Sequence, residues 1–140
     1  MNEIPENISE FLKQPLVSTL ATLDAGGAPR TRAIWHDWSE HGLLLFTSTQ
    51  SLKWKNIEKD NRVSLCIDDP DPPYKSVIID GRAVRKSDQD ELMYPVVLRM
   101  AQKYYGETEG QKFANGYKDM TADQVALFEI VIERITAREV

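Results

Sequence analysis

The chain is expected to fold as a small antiparallel β-barrel with helical additions, a mainly β, α+β architecture. Three observations predict it. Six segments read as strands joined by short turns, and antiparallel neighbours need only such connections. The helical patterns lie near the ends of the chain. No repeat, low-complexity tract or linker interrupts the 140 residues, which read as one domain over 1–140.

The elements follow in order. Residues 5–14 form an amphipathic helix: Pro5 suits a first-turn position, Ile8, Phe11 and Leu12 recur at helical spacing, and Pro15 ends it. Leu16 to Leu23 is apolar and rich in β-branched residues, a strand. Asp24-Ala25-Gly26-Gly27 makes a hairpin turn, since glycine supplies positive φ at little cost. Thr31 to Trp38 returns as the second strand, Leu43 to Phe46 is the third and Arg62 to Ile67 the fourth. The prolines at 70, 72 and 73 make residues 68–75 a rigid loop. Ser76 to Val84 is the fifth strand, with Gly81 as its bulge. Ser87 is expected to cap a helix over 88–105 that kinks or restarts at Pro95. Gln111 to Met120 reads as a short helix. Ala126 to Ile135 is the final strand, and its apolar residues do not fall on one face, so both faces should be partly covered.

Composition bounds the function. A net charge of −5 disfavours nucleic acid as the main partner. No apolar run reaches membrane-spanning length, and Met1 to Lys13 lacks the apolar core of a signal peptide. A single cysteine, Cys66, precludes an internal disulfide and is expected in the core. These features point to a cytoplasmic protein without membrane contact.

The stretch Leu43 to Ile67 is where chemistry is most concentrated. An apolar strand runs into the hydroxyl-rich turn Thr47-Ser48-Thr49-Gln50-Ser51, and Leu52 to Lys59 then reads as helix. Helix N-termini carry unpaired N–H groups and partial positive charge, and Lys53 and Lys55 add full charges. Such a turn can hold a phosphate. Ser48 or Ser51 can equally serve as an ordinary N-cap, with the lysines solvated. Arg30 and Arg32 share one face of the second strand and could bind an anion jointly. Trp35 and Trp38 lie on opposite faces; either alone reads first as a packing residue, and one of them could border a planar ligand. Tyr74, directly after the prolines, suits a rim or lid as well as it suits a plain surface turn.

Other chemistries find little support. His36 and His41 flank a turn without a second ligand pair at metal spacing, so no metal site is expected. His36 and Asp37 are adjacent in a strand and point apart, and there is no G-x-S-x-G. Neither a Walker A loop nor G-x-G-x-x-G occurs, and no side chain stands out as catalytic.

The order ATLDAGGAPRTRAIWHDW, LLLFTSTQSLKWKNIEKDNRVSLCIDD, VIIDGRAV and VIERITAREV resembles the pyridoxamine 5′-phosphate oxidase-like split β-barrel proteins. It is most similar to the branch called flavin/deazaflavin oxidoreductases, group B. The family pattern T-x-x-x-S-x-K-x-x-N-[IL]-x-x-[DN]-x-R-[VA]-[AS] is met at Thr47, Ser51, Lys53, Asn56, Ile57, Asp60, Arg62, Val63 and Ser64, and the G-x-A of the fifth strand at Gly81 and Ala83. The likeness covers about residues 8 to 138.

This resemblance implies a homodimeric split barrel with cofactor sites at the dimer interface. Thr47, Ser48, Ser51 and Lys53 would bind the cofactor phosphate, with Arg32, Thr49 and Asn56 beside them. Ala33, Ile34 and Trp35 would flank a tricyclic ring, and Tyr74 would border the pocket. The implied cofactor is the deazaflavin coenzyme F420, whose oligoglutamate tail suits Arg30, Arg32, Lys53, Lys55 and Lys59, with FMN as the alternative. The implied activity is hydride transfer to a small unsaturated organic molecule; a non-catalytic carrier of cofactor or haem is the other class. True pyridoxamine phosphate oxidases carry further arginine and histidine residues near the C-terminus, a signature that Arg138-Glu139-Val140 does not provide, so that reaction is not expected.

Overall fold

Among the described residues seven strands, not six, build the sheet. The computed structural model describes residues 3–140, so the leader reading, which starts at Met1, lies partly outside them. In chain order the elements are α1 (Glu6–Leu12), β1 (Ser18–Leu23), β2 (Pro29–Ile34), β3 (Asp37–Ser39), β4 (Gly42–Ser48), α2 (Leu52–Lys59), β5 (Arg62–Asp68), β6 (Ser76–Arg85), α3 (Gln89–Tyr105), α4 (Glu107–Asn115) and β7 (Val125–Arg138). All pairings are antiparallel, in the order β2-β1-β5-β6-β7-β4-β3. The sheet curls but does not close in this chain, leaving β2 and β3 as its edges.

The extra strand comes from the expected Thr31–Trp38 segment. The β1 ladder ends where Ser18 faces Ile34, so the chain beyond Ile34 has no partner on that side. His36 turns inward and is fully buried. Its Nε2 donates to the Leu12 carbonyl at 2.9 Å, and Nδ1 lies 3.0 Å from Ser18 Oγ and 3.3 Å from the Tyr104 hydroxyl. Trp38 then pairs opposite Leu43 in the separate β3–β4 hairpin and donates its indole N–H to Ser9.

Two apolar clusters cover the two faces. Leu20, Leu65, Ile79, Leu45, Phe128 and Ile130 fill the inside of the curl, plugged by Phe11 and Leu12 of α1 and by Trp54 and Ile57 of α2. Outside, Leu44, Val125 and Leu127 pack under Met93, Val96, Val97 and Met100 of α3. The first half of β7 is thus buried on both faces, as its sequence implies. Gly81 is a true close approach: the β6–β7 register slips between Asp80 and Gly81, and a Cβ there would sit 2.1 Å from the Val131 carbonyl oxygen.

Three local expectations are corrected. Asp88, not Ser87, occupies the N-cap of α3, and it makes no side-chain cap bond. The helix does not restart at Pro95 but runs as one element over Gln89–Tyr105, because its stripe of buried residues against the sheet outweighs the lost bond. Cys66 is half-buried, since β5 turns Val63, Leu65 and Ile67 inward and Cys66 to the other face.

The His36 cluster ties α1, β1 and α3 together. Lys103 Nζ donates to the carbonyls of Leu12 and His36, both at 3.2 Å, and Tyr104 donates to Leu16 O at 3.0 Å. Burial, and next the nearby Lys103 charge, push the His36 pKa down to about 4. An unfolded histidine titrates near 6.5. Between those values the unfolded chain binds the extra proton, so stability is full above the upper value and falls as the pH drops toward the lower. The loss at pH 4 is expected to be about 3 kcal/mol. Denaturant midpoints from pH 7 to 4 check this: His36→Gln should flatten that segment of the profile.

Candidate functional site

The β4-to-α2 turn is built on one hydroxyl. Ser51 Oγ caps α2 by accepting from the Trp54 N–H at 3.2 Å, and it donates to the Ser48 carbonyl at 2.8 Å. With its proton used there, the 3.1 Å contact to Thr47 has Thr47 as donor. Ser48 Oγ accepts from the Gln50 N–H at 3.1 Å. Thr49 turns the other way and donates to the Asp123 carbonyl at 2.6 Å. Of the four hydroxyls, Ser51 lines the adjoining cavity and Thr49 faces the 121–124 loop.

That cavity, of about 550 Å³, opens between the first turn of α2 and strands β1 and β2; Arg30, Arg32, Lys53, Ser51, Thr22 and Asn56 line it. The pleat explains the gathering. Arg30 pairs across from Thr22 and Arg32 from Leu20, so both arginines share the face that turns toward α2. Asn56 is buried one turn into α2 and donates to Thr22 Oγ1 at 3.1 Å. Lys53 has a pKa below the ordinary lysine value, first because it is partly buried and next because the Arg32 charge is close. Arg30 is held by Asp24 at 3.0 Å. Among the described residues, Arg32 and Lys53 take part in no ion pair. Two cations that repel one another across a polar cavity attract an anion: it would relieve the repulsion and supply the absent counter-charge. Lys55 and Lys59 are exposed on α2 outside the cavity.

The rest of the expected ring-binding segment forms a second, aromatic pocket. Ala33, Ile34 and Trp35 line a cavity of about 300 Å³ with Val17, Phe46 and Phe113. Trp35 lies flat on Tyr104, centroids 5.1 Å apart at 8°, and meets Tyr105 edge-on at 5.1 Å. Along β2 and the residue after it, residues 29–32 line the cationic cavity and 33–35 the aromatic one, so one edge strand serves both. Tyr74 is 62% exposed at φ 61 in the loop after β5. The register places that loop at the end of the strands where β2 finishes at Ile34, away from the end that carries Lys53. Sequence reading missed Thr22, Leu20 and the aromatics of α3 and α4. The alternation of Leu20 and Thr22 in β1 was a usable signal; nothing local marks Phe113 or Tyr104.

A half-open antiparallel barrel with a cationic cavity at a strand-to-helix turn and an aromatic pocket at the same edge strand is a split-barrel fold. The sequence profile of the pyridoxamine 5′-phosphate oxidase family matches residues 4–139, and the chain belongs to that family. A comparison with curated proteins finds no match. Solved structures share the fold. A conserved hypothetical protein from Mycobacterium tuberculosis is 24% identical with a TM-score of 0.77, over 96% of this chain and 84% of that one. An F420 reductase is 22% identical with a TM-score of 0.69, over 95% and 98%. HutZ, the haem storage protein from Vibrio cholerae, is 21% identical with a TM-score of 0.71, over 96% and 94%.

If Arg32 depresses Lys53 as described, Arg32→Gln should move the Lys53 pKa back toward the ordinary lysine value. Side-chain NMR titration of the lysine Cε signals reads this directly, and an unmoved Lys53 would show that the two charges are not coupled.

Proposed function

We propose that the protein is an oxidoreductase that binds F420 and passes a hydride to a small unsaturated organic substrate. The observation that carries this reading is the convergence of Lys53, Arg32 and the Ser51 turn, without counter-charge, on one cavity. Lys53 and Arg32 would hold the cofactor phosphate, and Thr47, Ser48 and Asn56 would shape its seat. Ala33, Ile34 and Trp35 would flank the ring in the aromatic pocket. The bound cofactor would supply the hydride chemistry. The chain would orient the ring against β2, keep water from it with Trp35, Phe46 and Phe113, and hold the anionic end fixed.

Exposed Lys55 and Lys59 beyond the cavity favour a ligand with further negative charge past its phosphate, which is the case for F420 over FMN. FMN needs the phosphate seat alone and is the second arm of the test. Neither histidine lines the cationic cavity. His36 has both ring nitrogens engaged and His41 lies beside Glu40 on the β3–β4 turn, which supports a phosphate cofactor over haem.

We further infer a homodimer, with Tyr74 of one chain bordering the pocket of the other. Ile78, Val84 and Val131 are 36%, 48% and 46% exposed on the outer sheet face, apolar groups that a second copy of the chain would cover. Sedimentation should give a dimer at micromolar concentration; a monomer would remove the partner wall.

Fluorescence titration with F420 and with FMN tests the cofactor site. A charged hydrogen bond to phosphate is worth about 1.5–3 kcal/mol, so Lys53→Ala should weaken binding about ten- to a hundredfold. Lys59→Ala should cost much less, and added salt should erase its effect. Equal affinities for wild type and Lys53→Ala would reduce the turn to a helix cap.

A further inference from the structure

The turn that begins α2 is gripped from behind by a residue outside the cavity. Arg85 ends β6, and its guanidinium is half-buried. Nε donates to Gln89 Oε1 at 2.9 Å, and Nη2 donates to the Ala122 carbonyl and, at 3.2 Å, to the Val125 carbonyl. The two carbonyls between these accept from Thr49 instead. Its hydroxyl donates to Asp123 O at 2.6 Å, and its backbone N–H to Gln124 O at 3.0 Å. Segment 122–125 is therefore clasped by Arg85 on one side and by Thr49 on the other. The same guanidinium lies 5.5 Å from the centroid of Trp54, whose N–H bonds the Ser51 cap. Arg85 so reaches the turn at two points: Thr49 through segment 122–125, and Ser51 through Trp54.

The partners of Arg85 are uncharged oxygens and an indole face. Arg30, Arg62, Arg82 and Arg99 each have a carboxylate; among the described residues Arg85 has none. A planar fork that serves three acceptors in fixed directions while stacking on an aromatic is work an ammonium cannot copy. Gln89, buried to 4% exposure, completes the clasp: it accepts from Arg85 and from the Leu127 N–H, and donates to Val125 O at 2.7 Å.

We propose that Arg85 is a positioning residue for the anion site, setting the geometry of the Thr47–Lys53 turn through segment 122–125 and Trp54 without touching the anion. This rests on the phosphate-binding reading above. It also gives Thr49 a role that its place among the turn hydroxyls does not suggest: a latch, not a ligand.

The test is titration of F420 and FMN well below each variant's melting midpoint, for wild type, Arg85→Lys, Arg85→Gln, Thr49→Val and the Arg85→Gln/Thr49→Val double variant. Each single variant should bind about tenfold more weakly, and the double variant no worse than the weaker single, because both cut the same clasp. Arg85→Lys should lose as much as Arg85→Gln, since geometry and not charge is at stake. A merely stabilising Arg85 would lower the melting midpoint and leave affinity unchanged; that result, or losses that multiply in the double variant, overturns the proposal. If wild type binds neither cofactor, the functional reading falls, and hydrogen exchange decides the clasp. Faster exchange of the Thr49 and Ser51 amides in Arg85→Gln upholds it, and unchanged exchange overturns it.

Discussion

The Ser51 hydroxyl is a junction on which several elements converge. It closes the first turn of α2 through Trp54, takes the Thr47 proton from the end of β4, and ties back to the Ser48 carbonyl. A helix of eight residues is too short to persist on its own. Its cap and the burial of Trp54, Asn56 and Ile57 against the sheet hold it in place. With Trp54 on Phe128, centroids 5.6 Å apart, the helix axis is set, and Lys53 is then directed toward β2. The cationic cavity follows from that docking.

Charge is distributed to the same end. The chain carries net −5, and four of its eight arginines are matched among the described residues: Arg99 to Asp37 at 2.6 Å, Arg62 to Asp60 at 2.7 Å, Arg30 to Asp24 at 3.0 Å and Arg82 to Glu133 at 3.3 Å. Arg32 and Lys53 are outside this pairing and line one cavity of an otherwise acidic protein. The contrast with the His36 cluster is instructive. There Lys103 and His36 are also buried together, but each donor already has a carbonyl to bond. That cluster is closed and joins α1 to α3; the cavity at β2 is open and keeps donors to spare.

Much of this was legible in the residues. Alternation in β5 and β6, the glycine turn at Gly26-Gly27, the bulge at Gly81 and the strand-to-helix turn at Thr47–Ser51 are local signals with local causes. The sequence missed the break at Trp35–His36, because nothing nearby announces that β1 ends opposite Ile34. It placed the α3 cap one residue early and allowed a restart at Pro95 that does not occur, since packing under the sheet outweighs a single lost helix bond. It grouped Thr49 with the other hydroxyls, although its partner lies more than 70 residues away in sequence, at |i−j| of 74.

By itself the sequence determined the kind of element at nearly every position, the family pattern and the cationic character of the α2 turn, because periodicity, turn chemistry and charge are properties of neighbouring residues. The tertiary structure alone decided which of those residues meet. Strand register put Arg30 and Arg32 on the face toward Lys53, the packing of α3 and α4 assembled the aromatics around Trp35, and the long return of β7 brought segment 122–125 between Thr49 and Arg85. Those contacts depend on how distant segments pair and pack, and no local pattern encodes that pairing.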